Sequence, residues 1–393
     1  MNKYFIGITD KDALSYKSGE TMRFIITFYD GEKICSADKF IWHIESDDGN
    51  IYKGEADGST GSLTLETRCN VPGFVHVIVK ACNKAGTQIE NSDIFEGGAG
   101  ADIDKITAGC DIPDDFDDFW RKALSEINAV KPELLEEPRI LTGGADAFRL
   151  YDVKIRCAGK MPATALVSIP EGAFKGKKYP LEMKFRGYSV ASADLYQPID
   201  RICISLNPHG LENFREDEYY QNAGLDGFGF NNEENENPDT CYFKYMILRN
   251  IQGKRWGKTL PYYDGSPVYI TGGSMGAFQS VSCAALSGNI AYIKILIPWL
   301  CDLGGINKGR LRGWRPDFRD GLRYYDTALM ASRIDAPCEI ESGLSDYVCP
   351  PSGQVVLYHN LKGPKKITFI QNRTHPYYPP KVIKYTRSEN WNW

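Results

Sequence analysis

Ser266-Pro267-Val268-Tyr269-Ile270-Thr271-Gly272-Gly273-Ser274-Met275-Gly276-Ala277 is the stretch on which the reading of the fold turns. Residues 266–271 are rich in β-branched and aromatic side chains, as a strand requires, and the run from Ala277 to Leu286 reads as a helix. Between them stands Gly272-x-Ser274-x-Gly276, the Gly-x-Ser-x-Gly pattern in the strand, turn, helix setting that gives it meaning. The reason is steric. A nucleophile forced into a tight turn needs neighbours without side chains, and the helix that follows points its positive end at the charge that develops on the attacked group. The expectation is a nucleophile elbow with Ser274 at its apex.

A serine hydroxyl is a poor nucleophile alone, so an elbow demands a base and an orienting acid, which in this arrangement follow in the order Ser, acid, His. Asp346, in Ser342-Gly343-Leu344-Ser345-Asp346-Tyr347-Val348-Cys349-Pro350-Pro351, lies just past a predicted strand, where open α/β sheets collect functional groups. His375 follows the next strand, in Gln371-Asn372-Arg373-Thr374-His375-Pro376. The other four histidines are set aside. His43 and His76 sit at alternating strand positions near the N-terminus, His359 lies in a helix-like run, and His209 precedes the serine. His209 is instead expected near the rim of the site, together with Trp299. Attack by Ser274 creates an oxyanion that two backbone N–H groups should meet, one from Met275 and one from Tyr188 in the loop Phe185-Arg186-Gly187-Tyr188.

Working outward, candidate strands at 151–157, 163–169, 181–185, 202–206, 268–271, 293–297, 338–342 and 367–370 alternate with helices. The first helix begins around Pro113-Asp114-Asp115-Phe116. The later strands are almost continuously apolar, as strands covered on both faces are. The expected fold class is an α/β hydrolase, a mostly parallel sheet flanked by helices, over residues 97–393. Residues 1–96 differ: short alternating runs such as Phe74-Val75-His76-Val77-Ile78-Val79 are separated by Asp30-Gly31, Asp48-Gly49-Asn50, Asp57-Gly58 and Val71-Pro72-Gly73, the pattern of a small immunoglobulin-like sandwich. Glu96-Gly97-Gly98-Ala99-Gly100 is read as a flexible break between the two. The sandwich is expected to supply no catalytic residue, so that its removal leaves hydrolysis of a small soluble ester intact.

Composition narrows the function classes. With 46 Lys and Arg against 51 Asp and Glu, a net charge of −5 and no basic block, the chain lacks the electrostatic footprint of a nucleic-acid binder. Eleven cysteines, an odd number without Cys-x-x-Cys spacing, read as reduced thiols with no metal site. No stretch is long and apolar enough for a membrane span, and the opening run from Met1 to Ile8 is too short for a secretory core. A cytoplasmic protein is expected.

The second half also resembles the acetyl xylan esterase and cephalosporin C deacetylase family of carbohydrate esterases, over roughly residues 100 to 380. The resemblance is carried by Pro113-x-x-Phe116-Asp117-x-Phe119-Trp120, Phe185-Arg186-Gly187-Tyr188, Gly272-Gly273-Ser274-x-Gly276, Pro298-Trp299-Leu300-Cys301-Asp302 and Gly343-Leu344-x-Asp346-x-x-Cys349-Pro350-Pro351. It implies removal of acetyl groups from esterified sugars through an acetyl-enzyme, with no cofactor and no metal, acting on an acetylated oligosaccharide or another small acetate ester. A homo-oligomer is compatible with it. The chain departs from the family pattern in having Met275 where Gln is usual, Asn207-Pro208-His209-Gly210 in the region of the Arg-Gly-Gln motif, and His375-Pro376 in place of His-Glu. Two alternatives stand beside this reading: another small-acyl esterase using the same residues, and a carbohydrate-binding protein with an inactive hydrolase domain. The polar segment between His209 and Cys241 is read as a solvated surface insertion, with a lid or rim over the site as the alternative and Tyr219, Tyr220 and Phe228 as weaker candidates for stacking on sugars. Bulky Tyr188, Met275 and Trp299 around the nucleophile suggest a pocket that stops at acetyl.

Overall fold

The computed structural model describes residues 3–142 and 147–393; Met1 and Asn2, which open the N-terminal apolar run, lie outside the described residues. Eight strands precede residue 102: β1 (Tyr4–Thr9), β2 (Met22–Asp30), β3 (Lys33–Ile34), β4 (Lys39–Ser46), β5 (Ile51–Asp57), β6 (Ser62–Thr67), β7 (Gly73–Cys82) and β8 (Phe95–Ala101). They form two four-stranded antiparallel sheets, one joining β1, β2, β3 and β6, the other ordered β5-β4-β7-β8. Alternation explains them. In β2 the even-numbered Met22, Phe24, Ile26 and Phe28 are buried, while Arg23 and Ile25 face outward.

One expectation is overturned here. Glu96 to Gly100 is not a flexible break but most of β8, paired with β7 from Phe95 to Ala101 and almost wholly buried. The glycines serve close packing, since a Cβ on Gly98 would come within 2.4 Å of the Leu344 carbonyl oxygen. A glycine run looks like a hinge in sequence because the neighbour that excludes a side chain lies 246 residues away and is not written locally.

Ten further strands make one sheet: β9 (Arg139–Leu141), β10 (Phe148–Ile155), β11 (Ala163–Pro170), β12 (Leu181–Phe185), β13 (Ile202–Leu206), β14 (Val268–Gly273), β15 (Ile290–Leu296), β16 (Cys338–Gly343), β17 (Lys365–Ile370) and β18 (Lys384–Glu389). Their order is β18-β17-β16-β15-β14-β12-β13-β11-β10-β9. The six strands β12 to β17 run parallel and the remaining four pair antiparallel at the two sides. Strand order reverses between β12 and β13, and at such a switch point loops diverge and leave room for a site. Parallel pairing sends the chain after β12, β14, β16 and β17 out at one edge of the sheet. All eight sequence-predicted strands are present; the outer β9 and β18, which are mostly exposed and carry little apolar pattern, were not anticipated.

The helix Phe116–Asn128 buries Phe116, Phe119, Trp120, Ala123 and Ile127, one face of a 3.6-residue repeat, and Trp120 Nε1 donates to the Tyr324 carbonyl at 3.1 Å. The helix Phe243–Gly257 is enclosed on nearly all sides although it carries Lys244, Arg249 and Lys254. Each charge is met. Arg249 donates twice to the Pro208 carbonyl, at 3.1 and 2.7 Å, and Lys254 reaches Ser287 Oγ at 2.9 Å. None of the eleven cysteines is disulfide-bonded. Among the described residues no helix is long and apolar enough to cross a membrane.

Candidate active site

Ser274 follows β14 directly and precedes the helix Met275–Ser287, with φ 55° and ψ −121°. That is a conformation L-residues avoid, and it persists because its surroundings leave no alternative. Ser274 N donates to the Leu296 carbonyl at 2.9 Å, and its own carbonyl accepts from Ala277 N at 2.9 Å and Trp299 N at 3.2 Å. The two glycines of the motif are both needed. A Cβ on Gly272 would meet the Gly276 carbonyl oxygen at 2.3 Å, and one on Gly276 would meet that of Phe185 at 2.2 Å.

Asp346 and His375 come together across the ends of β16 and β17. His375 Nδ1 lies 2.9 Å from Asp346 Oδ2, and the carboxylate's second oxygen accepts the N–H groups of Val348 at 3.1 Å and Cys349 at 2.9 Å. Asp346 is wholly buried, whereas the His375 side chain keeps 23% of its surface. A buried carboxylate with each oxygen occupied is held in one orientation and fixes the imidazole that leans on it, leaving Nε2 turned outward. No hydrogen bond joins Ser274 Oγ to His375 in this structure. The thiol of Cys349 lies beside both: its sulfur falls within 4.8 Å of the His375 ring nitrogen and the Asp346 oxygen, and the Ser274 hydroxyl faces it. Burial pushes that thiol well above its usual range, the Ser274 hydroxyl acting weakly the other way. Three donors this close could ligate a metal ion, yet both Asp346 oxygens already accept hydrogen bonds and the thiol is held protonated. That donor set suits an acid and base pair better than a metal.

The loop after β12 runs beside the elbow, since Phe185 pairs with Gly272. A Cβ on Gly187 would stand 3.9 Å from that of Ser274, so Tyr188 begins next to the serine. Met275 opens its helix, so its N–H has no carbonyl one turn back within the helix to bond. The Tyr188 ring stacks on Phe228 at 4.0 Å, its hydroxyl donates to the Phe228 carbonyl at 3.0 Å, and burial raises it to about 12.

Several expected positions are corrected by burial. His209 and Trp299, expected at the rim, are 2% and 1% exposed. The His209 ring is held between Tyr242 Oη at 2.7 Å and the Ser189 carbonyl at 2.9 Å, and burial pushes it down to about 4, so it is a neutral packing residue. Met275 is likewise fully buried and offers no open wall to an acyl group. Phe228 is buried too, wedged against Tyr188 and His209, and is not a free sugar platform. The segment around it is therefore no mere solvated insertion; Asn235, from its most polar part, is fully buried and donates to the Gly229 carbonyl at 2.9 Å. Sequence reasoning passed over Trp314. The residue is 44% exposed, its ring lies edge-on to Tyr188 at 4.7 Å and stacks on Trp299 at 5.6 Å, and its backbone N–H donates to the Val348 carbonyl beside the candidate acid at 3.0 Å. Only an unplaced Trp in Gly313-Trp314-Arg315-Pro316 hinted at it.

A profile of the acetyl xylan esterase family matches residues 102–308 and 317–393, beginning where β8 ends. Acetyl esterase Axe7A of Xylanibacter ruminicola is 25% identical over 274 residues, which is 65% of this chain and 61% of that protein; the chain thus spans about three-fifths of the relative's length. Acetyl xylan esterase 1 from Thermoanaerobacterium sp. JW/SL YS485 superposes with a TM-score of 0.57 at 21% identity, covering 70% of this chain and 92% of the other. The acetyl xylan esterase from Paenibacillus sp. R4 gives 0.57 at 22%, with 70% and 93% covered. At these identities the two structures speak for a shared fold, the α/β hydrolase, over the second part of the chain.

Proposed function

The chain belongs to the acetyl xylan esterase family, and from that premise we propose that it is a serine esterase removing acetyl groups from acetylated carbohydrates, xylan-type oligosaccharides among them. The observation that carries the reading is Ser274 held at φ 55° in a strand-to-helix turn, at the same sheet edge as the 2.9 Å Asp346–His375 pair. In this mechanism His375 Nε2 takes the Ser274 proton as Oγ attacks the acetyl carbonyl carbon, and buried Asp346 stabilises the imidazolium that forms. The N–H groups of Met275 and Tyr188 receive the oxyanion. Collapse releases the sugar hydroxyl, protonated by His375, and leaves an acetyl-enzyme that water, activated by the same imidazole, hydrolyses to acetate. The serine to histidine contact forms with substrate bound, as catalytic hydrogen bonds often tighten only in that complex.

Trp314 supplies an exposed aromatic face next to Tyr188, and we read it as the surface on which a sugar ring stacks. The two antiparallel sheets of residues 3–101 support an immunoglobulin-like sandwich, with its end at Ala101 rather than Glu96. The test of the whole reading is turnover of a chromogenic acetate ester and of acetylated xylo-oligosaccharides by the full chain and by Ser274→Ala. Acetate release that depends on Ser274 supports it. Sugar binding without any ester cleavage would favour the inactive binding protein instead.

A further inference from the structure

β8 is an edge strand of its sheet, with β7 its one strand partner; at its far end Gly100 N donates to the Ala13 carbonyl at 2.7 Å, and at Glu96 and Gly98 the outward backbone groups have no strand to pair with. Those groups are taken up by the two loops that carry Asp346 and His375. Glu96 N donates to Asn372 Oδ1 at 2.9 Å, and the Glu96 carbonyl accepts from Ser345 Oγ. Gly98 N donates to Gln371 Oε1 at 2.8 Å, and the Gly98 carbonyl accepts from Gln371 Nε2 at 3.0 Å. The contact continues through side chains. The His76 ring, directly across β7 from Gly98, stacks on Tyr347 at 4.0 Å and 19°. His76 is itself fixed between two carboxylates, Glu45 at 3.2 Å and Glu96 at 3.0 Å.

The residues immediately before and after Asp346, Ser345 and Tyr347, thus both rest on the N-terminal sheet. Three and four residues before His375, Asn372 and Gln371 do the same. The loops also brace each other: Leu344 N donates to the Ile370 carbonyl at 3.0 Å and Ser345 N to that of Arg373 at 3.3 Å. Loops at a sheet edge are ordinarily its most mobile parts, and here both are tied to β8 through Ser345, Gln371 and Asn372 by hydrogen bonds that are buried or partly buried. We propose that β8 and His76 are positioning elements for the acid and base of the esterase, so that the sandwich is part of the catalytic framework and not an appended module. This rests on the esterase reading above, and it reverses the expectation that the first 96 residues are dispensable for a small ester.

The experiment uses the full chain with substitutions on the sandwich side only. Gly98→Ala places a methyl 2.4 Å from the Leu344 carbonyl oxygen and must push the acid loop; His76→Ala removes the ring under Tyr347, and His76→Phe restores a ring without the carboxylate links. Measured are kcat and KM on a small soluble acetate ester and the rate at which a fluorophosphonate labels Ser274, with cooperative unfolding checked for each variant. Misplacement of reacting groups by about 1 Å costs on the order of a hundredfold, so Gly98→Ala should lower kcat by roughly ten- to a hundredfold with KM within about twofold, and labelling should slow in step. His76→Ala should lose about tenfold in kcat, and His76→Phe should regain part of it. If Gly98→Ala fails to fold, the His76 pair decides. Folded variants with wild-type kcat and labelling, or with a raised KM alone, overturn the proposal. Ser274→Ala separates the two readings: full turnover there sinks the esterase mechanism itself, whereas its loss beside fully active sandwich variants sinks only the positioning role.

Discussion

Gln371 and Gly98, 273 residues apart in sequence, form a closed two-point pair in which the side-chain amide both accepts from the glycine N–H at 2.8 Å and donates to its carbonyl at 3.0 Å. A side chain there takes the place of the neighbouring strand that the sheet edge lacks, four residues before the candidate base. The join between the two parts of the chain and the geometry of the site are therefore one problem, and the expectations below bear on both.

Replacing Ser274 with Ala should remove turnover of a chromogenic acetate ester by about a thousandfold or more, because the residual hydrogen-bonding site cannot form an acetyl-enzyme. Thermal unfolding should be nearly unchanged, or slightly favourable, since φ 55° strains Ala and Ser alike and only a hydroxyl is lost. Turnover within about tenfold of wild type would identify another nucleophile.

Acyl-chain preference should fall from acetate to butyrate to octanoate esters of one leaving group, by about tenfold or more in kcat/KM at the first step. The ground is family membership together with a crowded surround, in which Tyr188 is braced by Phe228 and Trp314 and cannot easily swing aside. Efficiency that stays level or rises with chain length would make this a general short-chain esterase.

Trp314→Ala should raise KM for acetylated xylo-oligosaccharides by about three- to tenfold, the worth of one aromatic stacking contact of about 0.5–1.5 kcal/mol, and leave kcat/KM on a small aryl acetate within about twofold. Equal losses on both substrates would assign the ring to packing under Tyr188.

Chelation offers a direct test of the Asp346, Cys349 and His375 cluster, whose donor atoms lie within 4.8 Å of one another. Prolonged dialysis against a strong zinc chelator should leave kcat/KM unchanged, since the roles proposed for Asp346 and His375 need no ion. Loss of activity restored by added zinc would recast the site as a metal centre.

Stability should depend on pH through His76. Burial alone would lower its pKa from the ordinary 6.5, but the hydrogen bonds it donates to Glu45 and Glu96, with their negative charge, outweigh burial and raise it. The groups facing it are Glu45 on β4, Glu96 on β8 and Tyr347 on the acid loop, with His43 also near Glu45. A histidine raised on folding contributes stability in full below about 6.5 and loses it as pH climbs through the raised value, because the neutral ring can donate to only one carboxylate. The wild-type protein should therefore lose more Tm than His76→Gln between pH 6 and pH 9. Parallel losses in the two proteins would show that other groups carry the dependence.

What the sequence determined unaided was whatever is written in local pattern. The parallel strands were legible because they are short runs in which buried apolar side chains recur, almost continuously in β13 and at every second position in Leu181, Met183 and Phe185 of β12 and Cys338 and Ile340 of β16, and the elbow because two glycines and a serine must stand at fixed spacing in a strand-to-helix turn. That Asp346 and His375 meet at one edge of the sheet was legible because parallel strands deliver the residues that follow them to the same side. The helix Phe243–Gly257 was not, since buried Lys244, Arg249 and Lys254 erase its apolar stripe and only their distant carbonyl, carboxylate and hydroxyl partners make it a core element. His209 and Trp299 had the chemistry of rim residues, and burial decided otherwise. The glycines of β8 read as a hinge because a glycine states only that a side chain is absent; that Leu344 and Gln371 occupy the space beside it, tying the N-terminal sheet to the loops of Asp346 and His375, is a relation between segments that meet only on folding.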